Sequence, residues 1–181
     1  GTPQVQPAQI LLSPADTETR RKHINARTTV LALLKLGAVP VVNENDTVAT
    51  AEIRFGDNDR LAARVSAMIG ADMLVLLSDV NGLYTTNPNG DDTATHLAKV
   101  SQITPDILAM AGPANAVYGS GGMITKLEAA RIATAAGCQR IICNGQSLAP
   151  LNRLQTGEKH TLVVAKQSPQ TATTKRTGGA Q

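Results

Sequence analysis

Short apolar runs alternate with longer segments of helical periodicity along this chain, and that alternation constrains its fold more than any other feature. Residues 39–42, 73–77 and 140–143 have the length and apolar character of buried strands. Residues 59–70 and 123–136 have the spacing of helices. Strands that are apolar on both faces are typical of a parallel sheet covered by helices on both sides. The sequence therefore predicts an α/β fold, a three-layer sandwich with a largely parallel central sheet.

The rest of the sequence continues this pattern. Asp16 is placed to cap the start of an earlier helix. Gly37 is placed to end it, because glycine readily adopts the left-handed conformation that follows a last helical turn. The further elements are expected to be strands over residues 9–12 and 161–165, helices over 16–37 and 104–112, a loop or small hairpin over 43–58, and a polar loop over 85–95.

Length and cysteine usage predict one cytoplasmic domain. The 181 residues fit a single domain, which we expect to cover residues 1–165. Residues 166–181 are low in apolar side chains and are expected to form a disordered tail or linker. Cys138 and Cys143 stand alone without a disulfide framework, which is typical of free thiols in a reducing compartment. No apolar run approaches the roughly 20 residues that span a bilayer, so no membrane partner is expected.

The charge distribution argues against nucleic-acid binding despite a net charge of +3. Between Asn43 and Asp92, nine acidic residues outnumber three basic ones, so the basic surplus lies elsewhere, spread over the rest of the chain. Aromatic residues make up only 2%, which leaves few platforms on which bases could stack. The three histidines are scattered, and no metal site is predicted.

A first polar segment has the composition of an amino-acid site. Carboxylates can receive a substrate ammonium, while asparagine amides and helix N-terminal amides can hold a carboxylate. Capping of the helix that follows explains the second part of the segment equally well. The segment comprises Asn43, Asp46, Asp57, Asn58 and Asp59.

Two later segments have features of a nucleotide site. Ser78 and Asp79 follow a predicted strand, and α/β sheets bind ligands beyond the carboxyl ends of their strands. An ordinary strand-to-turn transition is the alternative. Glycines before a helix allow backbone amides to approach a phosphate, although a flexible turn would look the same. This glycine segment comprises Gly119, Ser120, Gly121, Gly122, Met123, Thr125 and Lys126.

Together and in this order, the segments resemble the glutamate 5-kinases of the amino acid kinase family. Residues 39–53 with 56–59 are similar to the glutamate-site signature, residues 76–79 with 82–84 to the nucleotide-site strand, and residues 119–126 to the glycine segment. The resemblance implies that Asn43, Asp46, Asp57 and Asn58 bind L-glutamate and that Asp59 and Lys126 are catalytic. It implies a nucleotide site formed by Ser78, Asp79, Tyr84, Gly119, Ser120, Gly121, Gly122, Met123, Thr125 and Lys126.

The implied reaction is transfer of a phosphoryl group from ATP, with Mg²⁺, to the side-chain carboxylate of glutamate, the first step toward proline. Feedback inhibition by proline and a homo-oligomeric state are also implied by the resemblance. The family's first strand, with its lysine and glycine-rich turns, has no counterpart before Gln9. We therefore expect a partial kinase domain that is inactive or nearly so alone. The alternatives are another amino acid kinase, acting on acetylglutamate, aspartate or a nucleotide, and a non-catalytic binding module of the same fold.

Overall fold

A computed structural model describes residues 5–45, 58–112 and 122–165 of the chain. Within these ranges strands and helices alternate as expected for an α/β protein. The strands are β1 Gln6–Leu12, β2 Ala38–Glu44, β3 Met73–Ser78, β4 Leu83–Tyr84, β5 His96–Leu97, β6 Lys99–Val100, β7 Gln139–Asn144 and β8 His160–Val163. The helices are α1 Pro14–Glu18, α2 Arg20–Lys35, α3 Asn58–Ile69, α4 Pro105–Met110, α5 Met123–Ala135 and α6 Pro150–Gln155.

The strands pair mostly in parallel, which confirms the predicted fold class. β1 and β2 form a parallel pair in which Ile10 lies beside Val42. A second sheet has the order β3-β7-β8-β6, where β3 is parallel to β7 and β6 is parallel to β8. Only the β7–β8 pairing within that sheet is antiparallel, and β4 and β5 form a small antiparallel pair of their own.

Most element boundaries agree with the sequence pattern, with three differences. Asp16 does not begin one long helix: Ser13 is the N-cap of the short helix α1, Asp16 closes its capping box, and α2 begins separately at Arg20. Residues 43, 44 and 58, predicted to belong to a loop, are part of regular elements, because β2 runs to Glu44 and α3 begins at Asn58; residues 46–57 lie outside the described ranges. The sequence analysis did not anticipate α6 or the short strands β4, β5 and β6.

Helix α3 joins the two halves of the molecule. On one face, Leu61 and Met68 pack with Leu12 and Val30 from β1 and α2. On another face, Ala63 packs with Ala129 of α5. Because alanine side chains are short, the axes of α3 and α5 can approach closely. The position of α3 against α5 therefore fixes how their polar first turns meet.

A cleft separates the two sheets beneath α3. It has a volume of about 470 Å³ and is lined by Val42 of β2, Leu74 of β3, and Leu61, Val65 and Ile69 of α3. In the described part of the chain, β2 pairs only with β1 and β3 pairs only with β7. The facing edges of β2 and β3 are thus unpaired there. No helix within these ranges is both long and apolar enough to cross a membrane.

Candidate functional site

The topology gathers the polar residues at one edge of the fold. Helices α3 and α5 each lead into a strand, β3 and β7, that runs back along the sheet. Since β3 and β7 are parallel, the first turns of α3 and α5 lie at the same edge as the carboxyl ends of both strands. Asn58, Ser78 and Gly122 therefore lie at this edge of the fold.

Asp59 and Lys126 form the centre of the site. Lys126 Nζ donates to Asp59 Oδ2 at 3.0 Å, and the two side chains are only 10% and 15% exposed. Thr125 Oγ1 lies 3.4 Å from the same carboxylate oxygen and also donates to the Gly122 carbonyl at 2.8 Å. The carboxylate therefore holds a largely buried ammonium in a fixed direction.

Helical spacing places Lys126 in this position. Ala129 and Ala133 follow it at three and seven residues, so the three side chains share one face of α5. That face is buried against Ala63 of α3, which lies four residues after Asp59. The same packing that closes the α3–α5 interface thus brings the lysine to the carboxylate.

A second ion pair joins the same two helices, and the sequence analysis missed it. Arg60 Nη2 donates to Glu128 Oε2 at 2.6 Å, with about half of each side chain exposed. Arg60 follows Asp59 directly, and Glu128 lies two residues after Lys126. The sequence does show two opposite charges, Arg60 and Glu128, close to two predicted catalytic residues. Only the packing of α3 on α5 shows that these two side chains form an ion pair.

The predicted substrate residues are described in part. Asn43 near the end of β2 and Asn58 at the start of α3 both line the cleft between the sheets. The structure therefore brings these two residues to one cavity, whose other lining residues are mostly apolar. Asp46 and Asp57 lie outside the described residues.

The ends of β3 and β7 form a polar rim. Ser78 Oγ donates to Asp79 Oδ1 at 3.0 Å, and Asn144 Nδ2 donates to the Asp79 carbonyl at 3.2 Å. Gly145 N donates to the Ser78 carbonyl at 2.8 Å. A side chain at position 145 would approach Leu77 Cβ to 2.6 Å, so only glycine allows this contact. Asn144 was not predicted, although it ends a strand just as Ser78 does.

Tyr84 lies in the small antiparallel pair. Its ring packs edge-on against His96 with centroids 5.1 Å apart, and Lys159 Nζ lies 5.8 Å from its centroid. Burial lowers the pKa of His96, and the positive charges of Lys159 and His160 lower it further, against a bond to the Asn81 backbone that raises it. Because the pKa of His96 lies below its ordinary value of 6.5, its imidazole is neutral near pH 7.

The start of α5 is suited to an anion. Gly122 is its N-cap and makes no side-chain cap, so the first amides of this 13-residue helix are not satisfied by a capping side chain. Met123 and Thr125 belong to this first turn. Gly119, Ser120 and Gly121 lie outside the described residues.

The two cysteines lie in the interior of the molecule. Cys138 and Cys143 are both buried free thiols, and burial raises the pKa of each. In residues 5–45, 58–112 and 122–165, no group of three or more His, Cys, Asp or Glu side chains is placed to hold a metal ion.

Comparisons with known proteins identify a family, close relatives in sequence and a solved structure with the same fold. Residues 2–144 match the model of the amino acid kinase family. The chain is 55% identical to a glutamate 5-kinase of Gluconobacter oxydans over 96% of its length, and 54% identical to one of Paramagnetospirillum magneticum over 93%. A solved UMP kinase from Bacillus anthracis shares the fold with a TM-score of 0.55 at 16% identity, covering 78% of this chain and 52% of that one. The chain spans 46% of each of these two bacterial relatives.

Proposed function

This chain belongs to the amino acid kinase family, and we propose that it is part of a glutamate 5-kinase, which transfers a phosphoryl group from ATP to the side-chain carboxylate of L-glutamate. The observation that carries the proposal is the Asp59–Lys126 pair, which lies at the same edge of the fold as Asn58, Ser78 and the start of α5. The names of the relatives, which are more than half identical to this chain, support the choice of glutamate.

In the proposed mechanism a carboxylate oxygen of glutamate attacks the terminal phosphorus of ATP. One phosphorus–oxygen bond forms as the bond to ADP breaks, which gives an acyl phosphate without a protein nucleophile. Such transfers depend mainly on positioning and on stabilisation of spread negative charge. Lys126 would neutralise charge on the transferred group, and Asp59 would orient the lysine. Thr125 would hold the carboxylate of Asp59 in place.

The substrates would bind on either side of this pair. Asn43 and Asn58, with Asp46 and Asp57, would hold the α-amino and α-carboxylate groups of glutamate. The uncapped start of α5 would receive the phosphates, with Gly119, Ser120, Gly121, Gly122 and Met123 contributing backbone amides. Ser78, Asp79 and Tyr84 would border the rest of the nucleotide.

Mg²⁺ would enter the site with ATP. It is commonly held by one or two carboxylates together with substrate phosphates and water, so a protein cage is not required. Bound in this way, it would supply charge neutralisation between the phosphates. The described residues assign no further step to it.

We also propose that residues 1–165 are a partial kinase domain, followed by a linker over residues 166–181. The cleft of about 470 Å³ between β2 and β3 has the apolar lining and the unpaired strand edges that an additional parallel strand would need. A strand there would join both sheets into one and would lie under α3. In this proposal the additional strand corresponds to a segment that the longer relatives contain. The enzyme would work in the cytoplasm as a homo-oligomer that proline can inhibit.

The test is ATP turnover with glutamate and Mg²⁺, measured by a coupled assay. We expect the 181-residue chain alone to be inactive or nearly so. Fusion to the N-terminal segment of the Gluconobacter oxydans relative should restore turnover, because it supplies the strand for the cleft. Lys126→Ala in the fusion should lower kcat by about 10²- to 10³-fold, the usual cost of removing a charge-stabilising group.

Lys22→Ala is the matched control, since Lys22 is an exposed lysine on α2 and its loss should leave turnover unchanged. Acetylglutamate, aspartate and UMP should each be tried in place of glutamate. Turnover with one of these and not with glutamate would transfer the assignment to another amino acid kinase. A folded fusion that is silent with all four would favour a binding module.

A further inference from the structure

We propose that the Arg60–Glu128 ion pair is a positioning device that fixes the register of α3 against α5 and so holds Lys126 on Asp59. The catalytic relevance of the pair rests on the proposed function, whereas its effect on the geometry of Lys126 does not. Neither residue touches the reacting groups in this proposal. They act through the two helices that carry the central pair.

The order of charged residues on α3 and α5 favours a single register of the two helices. Helix α3 presents acid then base, Asp59 followed by Arg60, and α5 presents base then acid, Lys126 followed by Glu128. Both observed pairs are therefore between unlike charges. A shift of α5 by two residues, about 3 Å along its axis, would carry Glu128 toward Asp59. The two carboxylates would then face each other and repel. The charge pattern therefore favours the observed register of α5 against α3.

The packing of α3 on α5 beneath the ion pairs consists of small side chains. Ala63, Ala129 and Ala133 form the contact between the helices, and all three are fully buried. Short side chains of equal size interlock weakly, and a sliding motion meets few steric steps. Discrimination between registers must then come from side chains that flank the alanines, and the two ion pairs lie there.

The Arg60–Glu128 pair differs from the other exposed ion pair of α3 in the helices that it joins. Arg64 of α3 bonds Glu18 of α1 at the same 2.6 Å, with exposures of 34% and 58% against 45% and 42% for Arg60 and Glu128. The two pairs are thus alike in length and similar in exposure. The Arg64–Glu18 bond ties α3 to α1, whereas the Arg60–Glu128 bond ties α3 to α5.

The experiment is reductive methylation of lysines in the 181-residue chain, followed residue by residue by mass spectrometry. Lys126 is 10% exposed on its side chain and should react slowly, with exposed Lys22 as internal reference. Arg60→Gln and Glu128→Gln should each raise the Lys126 rate about two- to fivefold relative to Lys22, the range that corresponds to an exposed ion pair. Arg60→Lys should keep it slow.

The matched control is Arg64→Gln, which should leave the Lys126 rate unchanged. The doubly reversed variant, Arg60→Glu with Glu128→Arg, separates register from simple cross-linking. It keeps an ion pair but destroys the alternating order of charges. We expect its thermal midpoint to return to the wild-type value while Lys126 still reacts fast.

Two outcomes would overturn the proposal. One is that Arg60→Gln lowers the thermal midpoint without changing the Lys126 rate, which would make the pair structural only. The other is that the doubly reversed variant restores slow methylation. In the active fusion, Arg60→Gln should lower kcat by the same factor with KM for glutamate unchanged. Methylation requires no turnover, so a failure of the glutamate assignment would leave this measurement intact.

Discussion

The two halves of the molecule differ in how completely their sheets are covered. In the C-terminal sheet, made of β3, β7, β8 and β6, Ile142 and Val163 are buried beneath Leu127 of α5. In the N-terminal pair, made of β1 and β2, the face away from α2 and α3 exposes Leu11, Val39 and Val41. Both halves are parallel βα structures. Among the described residues, the C-terminal half buries the larger set of apolar side chains, although Met73 and Leu77 of β3 are about half exposed.

This difference indicates which part of the fold holds the residues of the candidate site in place. Asp59 and Lys126 sit on α3 and α5, and α5 packs on the closed sheet. Asn43 sits on β2 at the open cleft. We infer that the Asp59–Lys126 pair is held by the better-packed half of the molecule, whereas the proposed substrate side depends on whatever fills the cleft. Three further measurements test this comparison, in addition to the assays of turnover and of lysine reactivity.

The largest effect is expected from truncation in the closed core. Leu127→Ala removes a side chain that is 0% exposed and leaves a cavity, so it should lower the free energy of unfolding by about 2–5 kcal/mol. Leu11→Ala in β1 removes a side chain that is 47% exposed and should cost only about 0.5 kcal/mol. Urea denaturation followed by circular dichroism measures both. Equal losses would mean that the two halves are equally closed.

A smaller effect is expected from a buried hydroxyl. Thr161 Oγ1 accepts from Leu83 N at 2.7 Å and donates to the Leu97 carbonyl at 2.6 Å, so it ties β8 to the β4–β5 pair. Thr161→Val leaves both backbone groups without this partner and should cost about 1–3 kcal/mol. Thr29→Val on exposed α2 is the control and should change stability little. Chemical denaturation of both variants decides whether the hydroxyl matters.

The smallest effect concerns pH. Burial lowers the pKa of His96 below its ordinary value of 6.5, so the unfolded chain takes up this proton more readily than the folded chain. Stability should therefore fall as pH drops below 6.5 and level off once the lowered folded-state pKa is passed. His96→Gln should flatten that part of the profile of thermal midpoint against pH. An unchanged slope in the variant would show that other groups carry it.

The candidate site was predictable to the extent that its residues sit at the ends of elements. Asp59 and Lys126 were found because each lies in the first turn of a clearly periodic helix, and the resemblance assigned them roles. Asn144 and the Arg60–Glu128 pair were missed, since nothing in local spacing says which strand end or which helix lies opposite. The positions of Asp46, Asp57 and Gly119–Gly121 stay predictions, because they lie outside the described residues.

The class of fold, the main helices and strands, and the family could all be predicted from the sequence alone. Those properties follow from local patterns: apolar runs of strand length, helical spacing, and glycines such as Gly37 and Gly70, both of which have the positive φ of a helix end. Tertiary structure alone decided that the sheet is divided by a cleft and that α3 bridges its halves. It also decided that two ion pairs of opposite order join α3 to α5. These features depend on contacts between residues nearly 70 positions apart, and such contacts are set by packing of the whole chain.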